Sequence, residues 1–106
     1  MVETLSIAVC ICDEVTLADF ILPMEILGGL NISDIPAMAP LLGEMPYRVK
    51  MDYLAPSMRP VCSLTPGLVT VNPTITYAEA IEKGIRYDII WVPAGEFLNP
   101  VPDPRN

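Results

Sequence analysis

Residues 5–12 read Leu-Ser-Ile-Ala-Val-Cys-Ile-Cys, an almost unbroken apolar run. A strand with one face in water alternates between apolar and polar residues, whereas a strand covered on both faces is apolar throughout. The run therefore predicts the central strand of a parallel sheet. In such a strand Cys10 and Cys12 would point to the same face, as small core residues.

A buried helix is predicted immediately after this strand. Residues 17–27 carry apolar side chains at helical spacing, with Thr16 as N-cap and a glycine pair at residues 28–29 as the stop. Pro23 has no N–H to donate to the carbonyl of Asp19, four residues back, which predicts a kink at that point. Because the helix is apolar nearly all round, it is expected to be buried or to lie in an interface.

The second half of the chain supplies further strands. Residues 30–46 contain three prolines and no sustained period, which indicates a surface loop with at most one short turn. Residues 47–54 alternate apolar and polar, as in a strand near the edge of a sheet. Residues 88–92 read Asp-Ile-Ile-Trp-Val, which predicts a second strand covered on both faces. A proline-rich tail follows at residues 99–106.

Local signals between these strands predict a small hairpin and a short helix. Pro66 and Gly67 suit the two central positions of a type II turn joining two β segments. Thr76 and Glu79 have the spacing of a capping box, and Gly84 is the expected stop of the helix that they begin. The order of strand, helix, strand, hairpin, helix and strand predicts an α/β fold with a doubly wound parallel sheet.

Composition excludes several classes of function. Hydrophobic residues make up 52% of the 106 residues and charged residues 18%, so a disordered chain is excluded. The 13 acidic and 6 basic residues give a net charge of −7, which disfavours nucleic acid and anionic membrane surfaces as partners. The chain has no histidine, so it holds no Ser-His-Asp triad, no Cys-His dyad and no His-ligated metal.

The three cysteines form no C-x-x-C pair, and an odd, dispersed set indicates free thiols in a reducing compartment. The N-terminus lacks the basic start and the cleavage site of a signal peptide, and no apolar stretch reaches the length of a membrane span. The expected location is therefore the cytoplasm, with no cofactor and no metal.

Four stretches, in their order and spacing, resemble the N-terminal half of the ThiJ/PfpI superfamily, the class I glutamine-amidotransferase-like group. They are residues 7–12, 14–27, 53–56 and 87–95, which are spread over nearly the whole length of the chain. Within that group they are most similar to the isocyanide-hydratase-like branch. The resemblance implies a flavodoxin-like fold, of which residues 1–106 would form a single incomplete domain, and a homodimer with a possible small-molecule ligand.

Two residues become candidates for a functional site through this resemblance. Asp19 matches the family's acid that hydrogen-bonds a nucleophilic cysteine, a role in which a carboxylate accepts a proton or orients the thiol. The alternative is an acid that only favours the first turn of its helix. Gly95 follows a buried strand, where its backbone N–H would stabilise an oxyanion. The alternative is a glycine required by a turn.

The sequence also departs from the family pattern. The family's nucleophile is a cysteine between a strand and a helix, downstream of a Pro-Gly-Gly segment, and none of Cys10, Cys12 and Cys62 has that position. Ala94 replaces the first glycine of that segment. Glu25 lies six residues after Asp19, about 600° of helical rotation, so the two acids form no acid/base pair. The glycine pair at residues 28–29 follows a helix and is no phosphate loop.

Three functions remain open. The first is a ThiJ/PfpI-like domain without the nucleophile elbow and without catalysis of its own. The second is part of a cysteine-dependent hydratase, hydrolase or deglycase. The third is a ligand-sensing domain of a transcription regulator, which would need a helix-turn-helix that the sequence does not contain. If the sheet ends at residues 88–92, that strand has an exposed apolar edge, and self-association as a homodimer is expected.

Overall fold

A computed structural model describes residues 2–43 and 45–95 of the chain. The strands in chain order are β1 (Glu3–Cys10), β2 (Tyr47–Ala55), β3 (Val61–Cys62), β4 (Thr70–Val71), β5 (Ile75–Thr76) and β6 (Ile89–Trp91). The helices are α1 (Ile21–Leu27), α2 (Ala39–Leu42) and α3 (Tyr77–Glu82), with 3-10 turns at Leu17–Asp19 and Gly28–Asp34. The fold is mixed α/β.

Strands β5, β2, β1 and β6 form a parallel sheet in that order, with β1 between β2 and β6. The prediction of a central parallel strand is therefore confirmed, although β1 ends at Cys10 and Cys12 lies beyond it. All of β1 pairs with β2, from Glu3 opposite Tyr47 to Cys10 opposite Leu54. Strand β5 pairs with only the last two residues of β2, so β2 lies near the edge of the sheet, as predicted. Farther along this edge, the Asn31 side chain bonds both backbone groups of Val49.

The two faces of β1 bury different clusters, because its side chains alternate. Ile7 and Val9 belong to the larger cluster, together with Phe20 and Met24 from the helical segment. Ala8 belongs to a smaller cluster on the opposite face, which α3 and β5 complete. The core therefore lies on both faces of the central strand and is thicker on the α1 side.

The predicted single helix over residues 17–27 is divided in two. A 3-10 turn spans Leu17–Asp19, and α1 begins only at Ile21, so the kink predicted from Pro23 is confirmed. The predicted stop at the glycine pair is confirmed for the α-helix, which ends at Leu27 with Gly28 as its C-cap. Gly28 has a right-handed φ of −61°, and the chain continues as a 3-10 turn from Gly28 to Asp34. The Thr16 side chain forms no capping hydrogen bond.

The predicted hairpin and capped helix are both confirmed. Strands β3 and β4 pair antiparallel, Gly67 has a φ of +83°, and Leu68 N–H donates to Thr65 O at 3.3 Å, as in a type II turn. At the start of α3, Glu79 N–H donates to Thr76 Oγ1 at 3.1 Å. Gly84 ends α3 with a φ of +62°.

Two other predictions need correction. The last strand is not covered on both faces, because the Ile90 side chain is 67% exposed. Within the described residues, β6 pairs with β1 along one edge. Residues 30–46 are not an irregular loop, since they include the 3-10 turn to Asp34 and α2. The proline-rich tail at residues 99–106 lies outside the described residues. Among the described helices, none has the length and apolar character needed to span a membrane.

Candidate functional site

The sheet order defines a switch point beside β1. The chain runs from β1 to β2 on one side, and later returns to β6 on the other side of β1. In open α/β sheets, ligands bind outside the carboxyl ends of the strands at such a point. Here the corresponding place, called the crevice below, is where residues 11–19, which follow β1, meet residues 92–95, which follow β6.

Two hydrogen bonds join the walls of this crevice. Thr16 N–H donates to Ala94 O at 2.9 Å, and Ala94 N–H donates to Asp19 Oδ2 at 3.1 Å. The structure thus brings the segments of both candidate residues together, because Asp19 binds the amide next to Gly95. The Asp19 residue is exposed at the same time. Its carboxylate makes a tertiary contact, which a helix-dipole role alone would not require.

Pro23 and Trp91 explain why Asp19 is held at this place. Pro23 has no N–H, so the carbonyl of Asp19 lacks the donor that a regular helix would supply. Trp91 Nε1–H donates to this carbonyl at 2.7 Å. A side chain of β6 therefore satisfies a backbone acceptor that a proline of α1 leaves unpaired.

Gly95 lies where the two walls pack closely. A Cβ atom at this position would be 3.2 Å from Cys12 Sγ and 3.5 Å from Val15 Cα. Neither Gly95 nor Ala94 has a positive φ. The glycine therefore makes room for close packing and is not needed for a left-handed turn, and alanine at residue 94 carries no left-handed strain.

The segment that follows β1 is also fixed from the side of the hairpin. Cys62 N–H donates to Asp13 Oδ1 at 3.0 Å, and Glu14 N–H donates to Cys62 O at 3.0 Å. Glu14 has a φ of +66°, a left-handed conformation that costs a side-chain-bearing residue roughly 1–2 kcal/mol. Strained residues of this kind cluster at functional sites, where the surrounding contacts hold them in place.

A cavity of about 280 Å³ adjoins the same segment, beside residues 56–60. Asp13, Ser57 and Arg59 supply its polar lining. Arg59 Nη2 lies 3.8 Å from Asp13 Oδ2. The Arg59 side chain is largely exposed and the Asp13 side chain partly exposed, so this ion pair contributes little to stability. The cavity thus presents both signs of charge at the carboxyl end of the sheet.

The cysteines differ in environment. Burial raises the pKa of the Cys10 thiol, and a hydrogen bond with Tyr77 offsets this in part. Cys12 is 5% exposed and packs against Gly95. Cys62, by contrast, is an exposed residue of β3, so a core role does not apply to it. Cys10 and Cys62 are free thiols in the structure, and the reducing compartment that the sequence indicates stays a prediction.

Sequence reasoning found Asp19 and Gly95 but missed Trp91, Asp13 and Arg59 as parts of this region. Asp13 had a usable signal, because it is the first polar residue after an apolar strand, where sheet-edge sites form. Trp91 gave no such signal, since its partner is a backbone carbonyl 72 residues away. Within the described residues, no group of three or more Asp, Glu, Cys or His side chains could hold a metal ion.

Comparison with protein-family models, with curated proteins and with solved structures finds no match to this chain.

Proposed function

We propose that this chain is a ThiJ/PfpI-like domain that has the acid and the backbone amides of the family's site but performs no catalysis of its own. The observation that carries the proposal is the hydrogen bond from Ala94 N–H to Asp19 Oδ2, at the carboxyl ends of β1 and β6. It joins the two segments on which the resemblance placed a functional acid and an oxyanion contact. The order β2, β1, β6 around the switch point is also compatible with a flavodoxin-like topology.

The environments of the cysteines support the absence of catalysis. A nucleophilic cysteine reacts as the thiolate and needs a lowered pKa with access to solvent. The pKa of Cys10 is raised, Cys12 is buried, and Cys62 lies in a two-residue strand of the hairpin. None of them opens a helix after a strand. Free thiols also agree with a cytoplasmic location.

Alkylation kinetics test this proposal. With iodoacetamide at neutral pH, we expect Cys62 to react fastest, at about the rate of free cysteine, followed by Cys10 and then Cys12. After denaturation all three should react at similar rates. Cys62→Ser is the matched control and should leave only slow labelling. A thiol that reacts far faster than free cysteine, or turnover of an isocyanide by the chain, would contradict the proposal.

A second candidate is a cysteine-dependent hydratase, hydrolase or deglycase whose nucleophile lies beyond residue 106. The exposure of Asp19 favours it, since a carboxylate bonded through Oδ2 and open to solvent can still reach an incoming thiol. The coding sequence after Asn106 decides between the candidates. A cysteine between a strand and a helix, with activity lost in its serine variant and lowered by Asp19→Asn, establishes the enzyme. A stop codon leaves the non-catalytic domain.

A further inference from the structure

The cavity beside residues 56–60, of about 280 Å³, is lined by residues other than Asp19 and Gly95. It lies where β2 ends, and α/β proteins bind ligands outside the carboxyl ends of their parallel strands. Ala55 and Val61, which are 0% and 3% exposed, form the buried apolar part of its lining. Because drug-sized ligands occupy roughly 300–1,000 Å³, a cavity of this size suits a smaller molecule.

The walls of this cavity are fixed in the absence of a ligand. The loop over residues 56–60 begins and ends with proline, whose ring locks the backbone angle φ. On the other wall, Asp13 Oδ1 accepts a hydrogen bond from Cys62 N–H at 3.0 Å. One carboxylate oxygen is thereby held in place, and the second oxygen faces the loop. A site that is already ordered loses little conformational entropy when a ligand binds.

The polar side chains of the lining keep most of their bonding capacity for a ligand. Arg59 Nη2 lies 3.8 Å from Asp13 Oδ2, beyond the roughly 2.7–3.2 Å of a hydrogen bond. Within the part of the chain that the structure describes, this is the only polar contact of the guanidinium, which carries five N–H donors. Ser57 Oγ accepts from Arg59 N–H at 3.4 Å, so its own O–H can still donate.

We propose that this cavity binds an α-amino acid with a small apolar side chain. The ligand carboxylate accepts two hydrogen bonds from the planar guanidinium of Arg59 and a third from the Ser57 hydroxyl. The ligand ammonium donates to Asp13 Oδ2. The ligand side chain packs against Ala55 and Val61. Because the carboxylate and the ammonium are attached to the same carbon atom, one small molecule contacts both members of the open ion pair.

Charge favours this class of ligand over a simple acid or amine. The chain has a net charge of −7, which repels a net anion but not a neutral zwitterion. An acid without an ammonium group would place a second negative charge beside Asp13, and an amine without a carboxylate would place a second positive charge beside Arg59. The Arg59 and Asp13 side chains are 78% and 43% exposed, so water competes for both and a dissociation constant in the millimolar range is expected.

A titration of the ¹⁵N-labelled protein, followed by nuclear magnetic resonance, tests the class of ligand. With L-alanine up to about 100 mM, we expect saturable shifts of the amide signals of Cys62 and Arg59. Sodium propanoate, ethylamine and sodium L-lactate each lack one of the two charges of L-alanine and should bind at least tenfold more weakly. The absence of a shift with L-alanine, or equal binding of any of the other three compounds, overturns the proposal.

Three variants test the location of the site. Arg59→Gln, at a largely exposed side chain, should weaken L-alanine binding at least tenfold. Arg86→Gln is the matched control, because it makes the same change of charge at an exposed residue outside the lining and should leave the affinity unchanged. Asp13→Asn keeps an oxygen for Cys62 N–H but removes the charge, and should also weaken binding at least tenfold.

The midpoint of urea unfolding shows whether each variant is folded, and Asp13→Asn gives an independent answer if Arg59→Gln is not. L-alanine binding that survives in a folded Arg59→Gln or Asp13→Asn variant overturns the proposal. A loss in Arg86→Gln as large as the loss in Arg59→Gln overturns it as well, because binding would then depend on overall charge and not on this cavity.

Discussion

The two sides of β1 are held by different kinds of contact. On one side, β2 pairs with the whole of β1, from Glu3 to Cys10. On the other side, β6 pairs with only Ile7, Ala8 and Val9. The short ladder is supplemented at both ends: Asp88 binds Ser6 before it, and Asp19 binds the segment of Ala94 after it. A short strand thus keeps its place through side chains, and the residues proposed as functional also hold the fold together.

Replacement of Trp91 is expected to have the largest effect on the attachment of β6 to the rest of the fold. Trp91→Ala removes a half-buried ring that packs on the main cluster and frees the Asp19 carbonyl. We expect a loss of about 2–3 kcal/mol in the free energy of unfolding, below the range for a fully buried ring. Urea denaturation measures it.

Trp91→Phe is the control for the hydrogen bond, since it keeps an aromatic ring and removes the N–H; a loss of about 1 kcal/mol is expected. If the two variants lose the same amount of stability, packing of the Trp91 ring does not hold β6. That result would contradict the view that side chains hold the β6 side of β1.

Replacement of Asp19 is expected to have the second-largest effect on stability. Asp19→Ala removes the acceptor of the Ala94 N–H and should cost about 1–2 kcal/mol, because a hydrogen bond to a charged group is lost at an exposed position. Asp19→Asn keeps an oxygen that can accept the same bond, so we expect a loss within about 0.5 kcal/mol. Thermal unfolding of the three proteins measures both values.

A large loss in Asp19→Asn would mean that the charge itself is structural, which a role as partner of a thiol would not need. A small loss of stability in both variants would mean that the hydrogen bonds between β1 and β6 hold β6 in place, and that the Asp19 carboxylate does not.

Replacement of Tyr87 is expected to have the smallest effect on stability at neutral pH. Tyr87 links the β6 side of β1 directly to the β2 side. It precedes β6, and its hydroxyl donates to Asp52 Oδ2 of β2 at 2.8 Å. Burial first, and then this hydrogen bond, raises the pKa of Tyr87 to about 12. An unfolded tyrosine titrates near 10, so the protonated form is favoured in the folded state. Its contribution is complete below about pH 10 and is lost as the pH rises through about 12.

The midpoints of urea unfolding at pH 8 and pH 11 test whether the contribution of Tyr87 to stability falls as the pH rises. Burial also raises the pKa of Tyr77, which acts in the same direction, so the comparison is made against Tyr87→Phe. The variant should lose less stability between the two pH values than the unchanged protein. An equal loss in both would show that the bond to Asp52 does not couple the two neighbours of β1.

Local signals predicted the parts of the fold that local physics decides. Gly67 and Gly84 adopt the positive φ that their turns require, and Thr76 caps α3, because each depends on residues within a few positions. Pro23 likewise predicted the break in the first helix. Gly28 ends α1 as predicted but keeps a right-handed φ, because a glycine can adopt either hand and neighbouring contacts decide which conformation it takes.

The non-local parts of the site could not be predicted in this way. Asp19 and Gly95 came from a family resemblance, and the sequence contained no sign that Ala94 N–H would reach the Asp19 carboxylate. Ile90 was expected to be covered because its strand is uniformly apolar, yet its exposure depends on whether another strand lies beside it. Hydrophobic patterns report the preference of a strand for burial, and they do not report what buries it.

The junction around residues 13–19 also has a consequence for the time course of folding. Its long-range hydrogen bonds reach partners 48 to 78 residues away along the chain, among them Cys62, Trp91 and Ala94. Contacts that close long loops form late, because the entropy of closure must be met before they contribute. The β1–β2 ladder joins residues 44 positions apart, so the bonds to Trp91 and Ala94 close the longer loops. The crevice that holds Asp19 and Gly95 is therefore expected to be among the last parts of the molecule to order and among the first to open, and hydrogen exchange at Thr16 and Ala94 would record that opening.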